Sequence, residues 1–283
     1  MLKLSYILIG FALFSCNQNP VTPTNPSPSE GFIVTSTGSV FKTTNSGDSW
    51  NQLGNVYSGV YNDACIDFVD TNNGYIATTA GTVFRSNNSG VSWSQLNNAF
   101  TGIQNGISLD FIDVNIGFIL NSTGSLYRTS NSGNTWALIS NPFSGVFNDA
   151  SLDFIDANNG FIVTTAGTVY KTSNGGVTWS QLSNAFSGIQ DGVSIDFIDN
   201  NLGFLLQSTG SIYKTTNSGG SWTLISNAYS GVYNDASIKF LNTNTGFLVT
   251  SAGTIFKTLN GGVTWLQSAN VFSGIQNGVS IDF

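Results

Sequence analysis

From residue 31 onward, short apolar runs alternate with clusters of Asn, Asp, Gly and Ser, and the alternation keeps a constant step. Residues 151 to 183 show the unit. Its runs are SLDFID, GFIVTT, GTVYKTS and TWSQLS, separated by turns such as Ala157-Asn158-Asn159-Gly160 and Asn174-Gly175-Gly176. Each run is brief, rich in β-branched and aromatic residues, and bounded by turn formers, which is the pattern of a strand. The unit recurs every 43 residues: Trp50, Trp93, Trp136, Trp179, Trp222 and Trp265 keep this step, as do Lys42, Arg85, Arg128, Lys171, Lys214 and Lys257. Four strand-like runs per period of this length are the signature of propeller blades. We name them strands A, B, C and D.

The expected fold is therefore all-β, a six-bladed β-propeller of four-stranded antiparallel blades over residues 31–283. The repeats fall one A-to-B turn short of six full periods, because Gly31 aligns with Gly160 and Phe283 with Phe154. Residues 280–283 would then supply strand A to a first blade whose other strands come from residues 31–54. Closing a ring this way pairs edges that an open solenoid would leave exposed. A second period overlies the first. The loops after strand D alternate between YSGVYNDA (57–64), FSGVFNDA (143–150) and YSGVYNDA (229–236) and the GIQNG type at 101–107, 187–193 and 273–279. An 86-residue two-blade unit used three times predicts pseudo-threefold symmetry.

Composition narrows the chemistry. Only 8% of residues are charged, against about 25% in an ordinary soluble domain. There is no His, a single Glu (Glu30) and only two Arg, with fifteen acidic against eight basic residues. Most hydrolase and metal-ligand constellations cannot be assembled from that set, so no cofactor or metal is expected. A net charge of -7 argues against a nucleic-acid partner.

The N-terminus reads as an export signal. Lys3 precedes an apolar run from Leu4 to Phe14, too short to span a membrane. Leu13-Phe14-Ser15-Cys16 resembles a bacterial lipobox, although Phe14 is bulkier than the usual residue there. That resemblance implies a signal peptide over 1–15, a lipidated Cys16 and an exported, outer-membrane lipoprotein of the cell envelope. A plain secretory signal with an incidental cysteine is the alternative. Residues 16–30 carry four of the five prolines and form a semi-rigid tether.

The C-to-D turns read TTNSGDSW (43–50), SNNSGVSW (86–93), TSNSGNTW (129–136), TSNGGVTW (172–179), TTNSGGSW (215–222) and TLNGGVTW (258–265). These resemble the Asp-box, or BNR, repeat. The neighbouring Gly-x-x-[Phe/Tyr]-[Lys/Arg]-Thr and Asn-x-Gly-Phe runs look like the Ycf48-type branch of that family, known for photosystem assembly. Asn45, Asn88, Asn131, Asn174, Asn217 and Asn260 stand where the family has Asp, which removes a charge and keeps an acceptor. The resemblance implies that these turns and their tryptophans are structural. It also raises the sialidases, which share the box and use an arginine triad. Here Arg85 and Arg128 occupy a repeat position where Lys is equally accepted, which a fork-shaped carboxylate grip would not tolerate. Cys65, the one Cys in a column of Ser, lacks any His to activate it and reads as a buried serine substitute.

Two repeated constellations are candidates for recognition. The strand A column Asp67, Asp110, Asp153, Asp196, Lys239 and Asp282 would ring the central channel. It would either hold a cation or water, or bond the backbone of neighbouring blades. The D-to-A loops would open on the face opposite the Asp-box turns. They carry Tyr61, Asn62 and Asp63; Phe147, Asn148 and Asp149; and Tyr233, Asn234 and Asp235, with Gln104, Asn105, Gln190, Asp191, Gln276 and Asn277 between them. Aromatics beside amides and carboxylates suit sugars and peptide segments, but they would equally plug the inter-blade core and cap turns. The expected function is a monomeric, non-catalytic binding or scaffold propeller engaging envelope proteins. A multivalent lectin binding envelope glycans is the runner-up and a sialidase-like glycosidase a distant third. Contact with the membrane would be only through the lipid.

Overall fold

The computed structural model describes residues 30–283. The leader, Cys16 and the proline-rich tether lie outside the described residues, apart from Glu30.

Six four-stranded antiparallel sheets form, each in the order A, B, C, D. The fourth blade is representative, with Ala150–Phe154, Gly160–Thr164, Val169–Thr172 and Ser180–Gln181. In the first blade Val279–Asp282 pairs with Gly31–Thr35, aligning Phe32 with Asp282 and Thr35 with Val279. The C-terminal strand thus closes the ring as expected. Each innermost strand A touches those of both neighbours, the last reaching Ala64–Phe68 of the second blade.

Alternation within the strands dictates this layering. Strand B is buried along its whole length in every blade, as a strand covered on both faces must be, whereas strand D is largely exposed. Strand D is shorter than expected in the second and fourth blades, at two residues each. There the ladder stops where the other blades bulge. The Leu96 and Leu182 N–H groups bond the carbonyls of Val83 and Val169 (both 2.8 Å) while their side chains turn into the core.

The core consists of clusters lodged between blades, each drawing strand B of one blade and strand A of the next. An aromatic ladder runs through them. Tyr75 stacks flat on Phe111 of the next blade (3.6 Å), and Phe111 meets the edge of Trp136 (5.8 Å). The strand A phenylalanine also covers the glycine that opens its own strand B: a Cβ on Gly74 would lie 2.5 Å from Phe68. Gly31, Gly117, Gly160, Gly203 and Gly246 make the same close approach.

Candidate functional site

The Asp-box turns close on themselves. Asn45 Oδ1 accepts from the Thr43 hydroxyl and the Ser49 N–H (both 2.9 Å), and its Nδ2 donates to the Ser49 hydroxyl. Thr43 Oγ1 accepts from the Gly47 N–H, and Trp50 Nε1–H donates to the Gly47 carbonyl. Asn88, Asn131, Asn174, Asn217 and Asn260 repeat the arrangement, so each asparagine spends its Oδ1 and one Nδ2 hydrogen within its own turn. Trp93, Trp136, Trp179 and Trp265 repeat the indole bond, while Trp222 Nε1 has no partner.

The strand C cations are equally committed. Arg85 lies over Tyr75 (5.7 Å) and Arg128 over Phe118 (5.9 Å), and Lys42, Lys171, Lys214 and Lys257 lie over the matching phenylalanines at 5.1 to 5.3 Å. Arginine and lysine do one job here, a cation over a ring face.

The channel column turns out to be a set of bonds between blades. Asp67 Oδ2 accepts from Phe111 N–H (2.6 Å), Asp110 from Phe154, Asp153 from Phe197, Asp196 from Phe240 and Asp282 from Phe68. Lys239 stands at the sixth position and places Nζ 3.4 Å from Asp196 Oδ1 and 3.6 Å from Asp282 Oδ1. The cation in this ring is thus the protein's own. Burial, then Asp282 and Asp110, pushes the Asp67 carboxyl well above the carboxylate range, and burial raises Asp110 to about 6 despite Lys239. Burial works against the Lys239 ammonium, but Asp196, Asp282, Asp153 and Asp67 outweigh it and hold it above the ordinary lysine value. A second ladder, one turn of the pleat away, uses the serine column. Ser108, Ser151, Ser194, Ser237 and Ser280 each accept from a backbone N–H of the next blade. Cys65 instead donates its thiol to the Ile107 carbonyl. The channel narrows to a cavity of about 80 Å³. Among the described residues no group of three or more His, Cys, Asp or Glu side chains is arranged to hold a metal ion.

The D-to-A loops bond the B-to-C turns, as in Thr79 N–H to the Asp63 carbonyl, whereas the Asp-box turns bond the A-to-B turns, as in Ser89 N–H to the Asn72 carbonyl. The two sets therefore occupy opposite faces. On the D-to-A face the structure brings Asn62, Asp63, Asn105, Asn148, Asp149, Asp191, Asn234, Asp235 and Asn277 around one funnel of about 100 Å³ over the channel mouth. Asp63, Asp149 and Asp235 form its inner triad. Each accepts at Oδ1 from its own following N–H (2.7 to 2.8 Å) and at Oδ2 from Ile107, Val193 or Val279 of the next blade. Gly106, Gly192 and Gly278 fit against the triad so closely that a Cβ on Gly278 would collide with Asp63. Burial and the other two carboxylates push Asp63 well up; burial, then Asp235, raises Asp149 to about 8, and burial raises Asp235 to about 6.

The aromatics and glutamines sit less openly than a flat platform would. Tyr61, Phe147 and Tyr233 are half-buried and meet Tyr57, Phe143 and Tyr229 edge-on at 5.1 to 5.3 Å. Gln104, Gln190 and Gln276 are half-buried, their N–H groups bonded to the carbonyls of Thr79, Thr165 and Ser251. The open positions are the residues just before them. Val60, Ile103, Val146, Ile189, Val232 and Ile275 are 66 to 79% exposed, one per loop. Their signal was a β-branched aliphatic recurring in every loop immediately after a glycine. Charge divides by face as well. Loops and turns of the D-to-A face contain Asp63, Asp149, Asp191 and Asp235 and no Lys or Arg, while all six strand C cations lie toward the Asp-box face beside Glu30, Asp48, Asp70, Asp113, Asp156 and Asp199.

Residues 17–151 and, overlapping them, 129–277 match the family described as Photosynthesis system II assembly factor YCF48. The chain belongs to this family. Similar solved structures include "YCF48 bound to D1 peptide", at 18% identity over 89% of this chain and 87% of the other, with TM-score 0.58. YCF48 from Cyanidioschyzon merolae follows at 16% identity, 89% and 84% coverage and TM-score 0.52. The GH74 enzyme of Niastella koreensis is 21% identical over 85% of this chain but only 44% of its own, with TM-score 0.60. At such identities these likenesses to YCF48 and GH74 structures speak of the fold. No curated protein matches the chain.

Proposed function

We propose that this YCF48-family propeller is a non-catalytic binding or scaffold module that engages protein partners of the cell envelope through its D-to-A loop face. The observation that carries the reading is the division of labour between faces. On the Asp-box face the repeated asparagines, tryptophans and cations are consumed in turns and ring contacts. On the D-to-A face, repeated side chains converge on an open funnel with the six aliphatics exposed around it. A similar protein of the family has been solved with a bound peptide, which supports a protein ligand. Arg85 and Arg128 lie over aromatic rings at a repeat position that lysine fills in the other four blades, which speaks against a sialidase-like guanidinium grip. The lipobox-like run ending at Cys16 supports anchoring to the membrane, with the tether holding the propeller away from the lipid.

A photo-crosslinking amino acid at position 103, compared with position 91 on the other face, tests the reading in cells. Protein adducts from 103 and none from 91 support it; equal adducts from both refute it. A glycan array tests the lectin alternative, since sugar binding lost in Tyr61→Ala with Tyr233→Ala would replace the protein reading. Release of soluble protein by Cys16→Ser tests the anchor, and unchanged membrane association would refute it.

A further inference from the structure

The six exposed aliphatics of the D-to-A face form a crown whose presentation is built into the backbone. Each follows a glycine with φ between 88° and 125°, the left-handed region, and an added Cβ there would meet nothing closer than 3.9 Å. Glycine is therefore retained for the turn and not for packing. The residue after each is pinned by its backbone N–H, as Tyr61 is to the Ser36 carbonyl (3.0 Å) and Gln104 to the Thr79 carbonyl (2.8 Å). Val60 or Ile103 is thus held outward between two constrained neighbours. Single exposed aliphatics are ordinary on a protein surface, but the same exposed β-branched aliphatic at the tip of all six loops around the funnel gives this face a repeated set of apolar contact points. The Asp-box face carries a sparser set, Val91, Val177 and Val263 in alternate blades, because Asp48, Asn134 and Gly220 take the position between them.

Charge complementarity selects the occupant. Inside the crown lie Asp63, Asp149, Asp235 and Asp191, and the face has no basic residue to balance them. Lys239 lies deeper, engaged by Asp196 and Asp282. Crowding and burial keep the triad partly protonated because no cation faces it; a basic partner supplies that missing cation and lets the carboxylates ionise against it, whereas an acidic one finds nothing to pair with. We propose that this face seats a basic, aliphatic-rich stretch of polypeptide, with its apolar side chains on the crown and its lysines or arginines over the acidic funnel. The inference rests on the reading of the D-to-A face as the binding face and names the chemistry of its partner.

Fluorescence anisotropy with the full chain and three labelled peptides of equal length tests it, the peptides alternating Leu with Lys, Leu with Glu, and Ser with Lys. The Leu/Lys peptide is expected to bind about tenfold or more tightly than either of the others. Val60→Ser with Val146→Ser and Val232→Ser should cost about tenfold, and Asp191→Asn about threefold with a shallower salt dependence. Val91→Ser with Val177→Ser and Val263→Ser, on the opposite face, should change nothing. Thermal melts establish that each variant is folded; the substituted valines are exposed, so melting should hold. Equal or better binding of the Leu/Glu peptide, still weakened by the crown substitutions, overturns the inference and leaves the binding face standing. Leu/Lys binding unaffected by the crown substitutions, or no binding of any peptide, overturns the inference; crosslinks from position 103 that also fail to appear then remove the reading of the face.

Discussion

Phe68 of the second blade lies flat on Phe32 of the first, ring centroids 3.6 Å apart and planes within 9°. Lys42 lies over the Phe32 ring at 5.1 Å and Trp93 meets Phe68 at a near right angle, so four side chains from two blades form one linked set. Every blade boundary carries such a stacked pair. Phe68→Ala should therefore cost about 3 to 5 kcal/mol, because it empties a filled site at an inter-blade seam. Urea denaturation measures it; a loss under about 1 kcal/mol would show that the seam relaxes to refill the space.

The closing strand is a matter of hydrogen bonds as much as packing. Deleting residues 279–283 removes the partner of Gly31–Thr35 and the acceptor that Asp282 offers to Phe68. The truncated chain should expose a strand edge and aggregate, as seen by light scattering. A monomeric, cooperatively melting product would mean the first blade holds without strand A.

In the Asp-box turn, Asn45→Ala deletes three hydrogen bonds made by one side chain. A destabilisation of about 1 to 3 kcal/mol is expected, whereas Asn45→Asp, which keeps the acceptor, should stay within about 1 kcal/mol. Comparing both melts tests whether acceptance of the turn N–H groups is the essential interaction.

Stability should rise as pH falls from about 8 toward 5. Asp149 titrates near 8 and Asp110 and Asp235 near 6 in the fold, against 3.8 for an unperturbed carboxyl. The folded state binds these protons more tightly than the unfolded chain. Their contribution is fully present below the unfolded value and is lost as pH rises through the folded ones. Asp156 and Asp199 work oppositely: hydrogen bonds from Asn159 and Asn158, and from Leu202 and Asn201, lower them, so acid below about 4 removes their contribution. Melting temperature against pH should therefore peak between about 4 and 6, and Asp149→Asn should flatten the alkaline side. A profile rising monotonically to pH 8 would contradict the raised triad.

Lys239→Met removes the one ammonium in the Asp67 ring while leaving the backbone bonds in place. The cost should be larger at pH 8 than at pH 5, because protonation relieves the remaining carboxylates. Equal losses at both values would mean the lysine acts by packing alone.

Much of the fold was legible because its determinants are local and periodic. The Trp50 to Trp265 spacing counts the blades, Asn45 with Ser49 specifies a turn within a few residues, and the offset between Gly31 and Phe283 discloses the closing strand. The candidate site was legible only in part. Asp67 and Asp63 stand out alike as repeated carboxylates, yet one bonds Phe111 across a seam and the other joins Asp149 and Asp235 at the channel mouth. Tyr61 fits either a contact aromatic or an inter-blade plug by sequence and is half-buried against Tyr57, while Val60 beside it carries no signal of its own chemistry and is 67% exposed. Repetition by itself determined that equivalent residues share one environment, but not what that environment is. Whether the neighbour is solvent, another carboxylate or a backbone N–H depends on a blade about 43 residues away, and only the closed ring decided it.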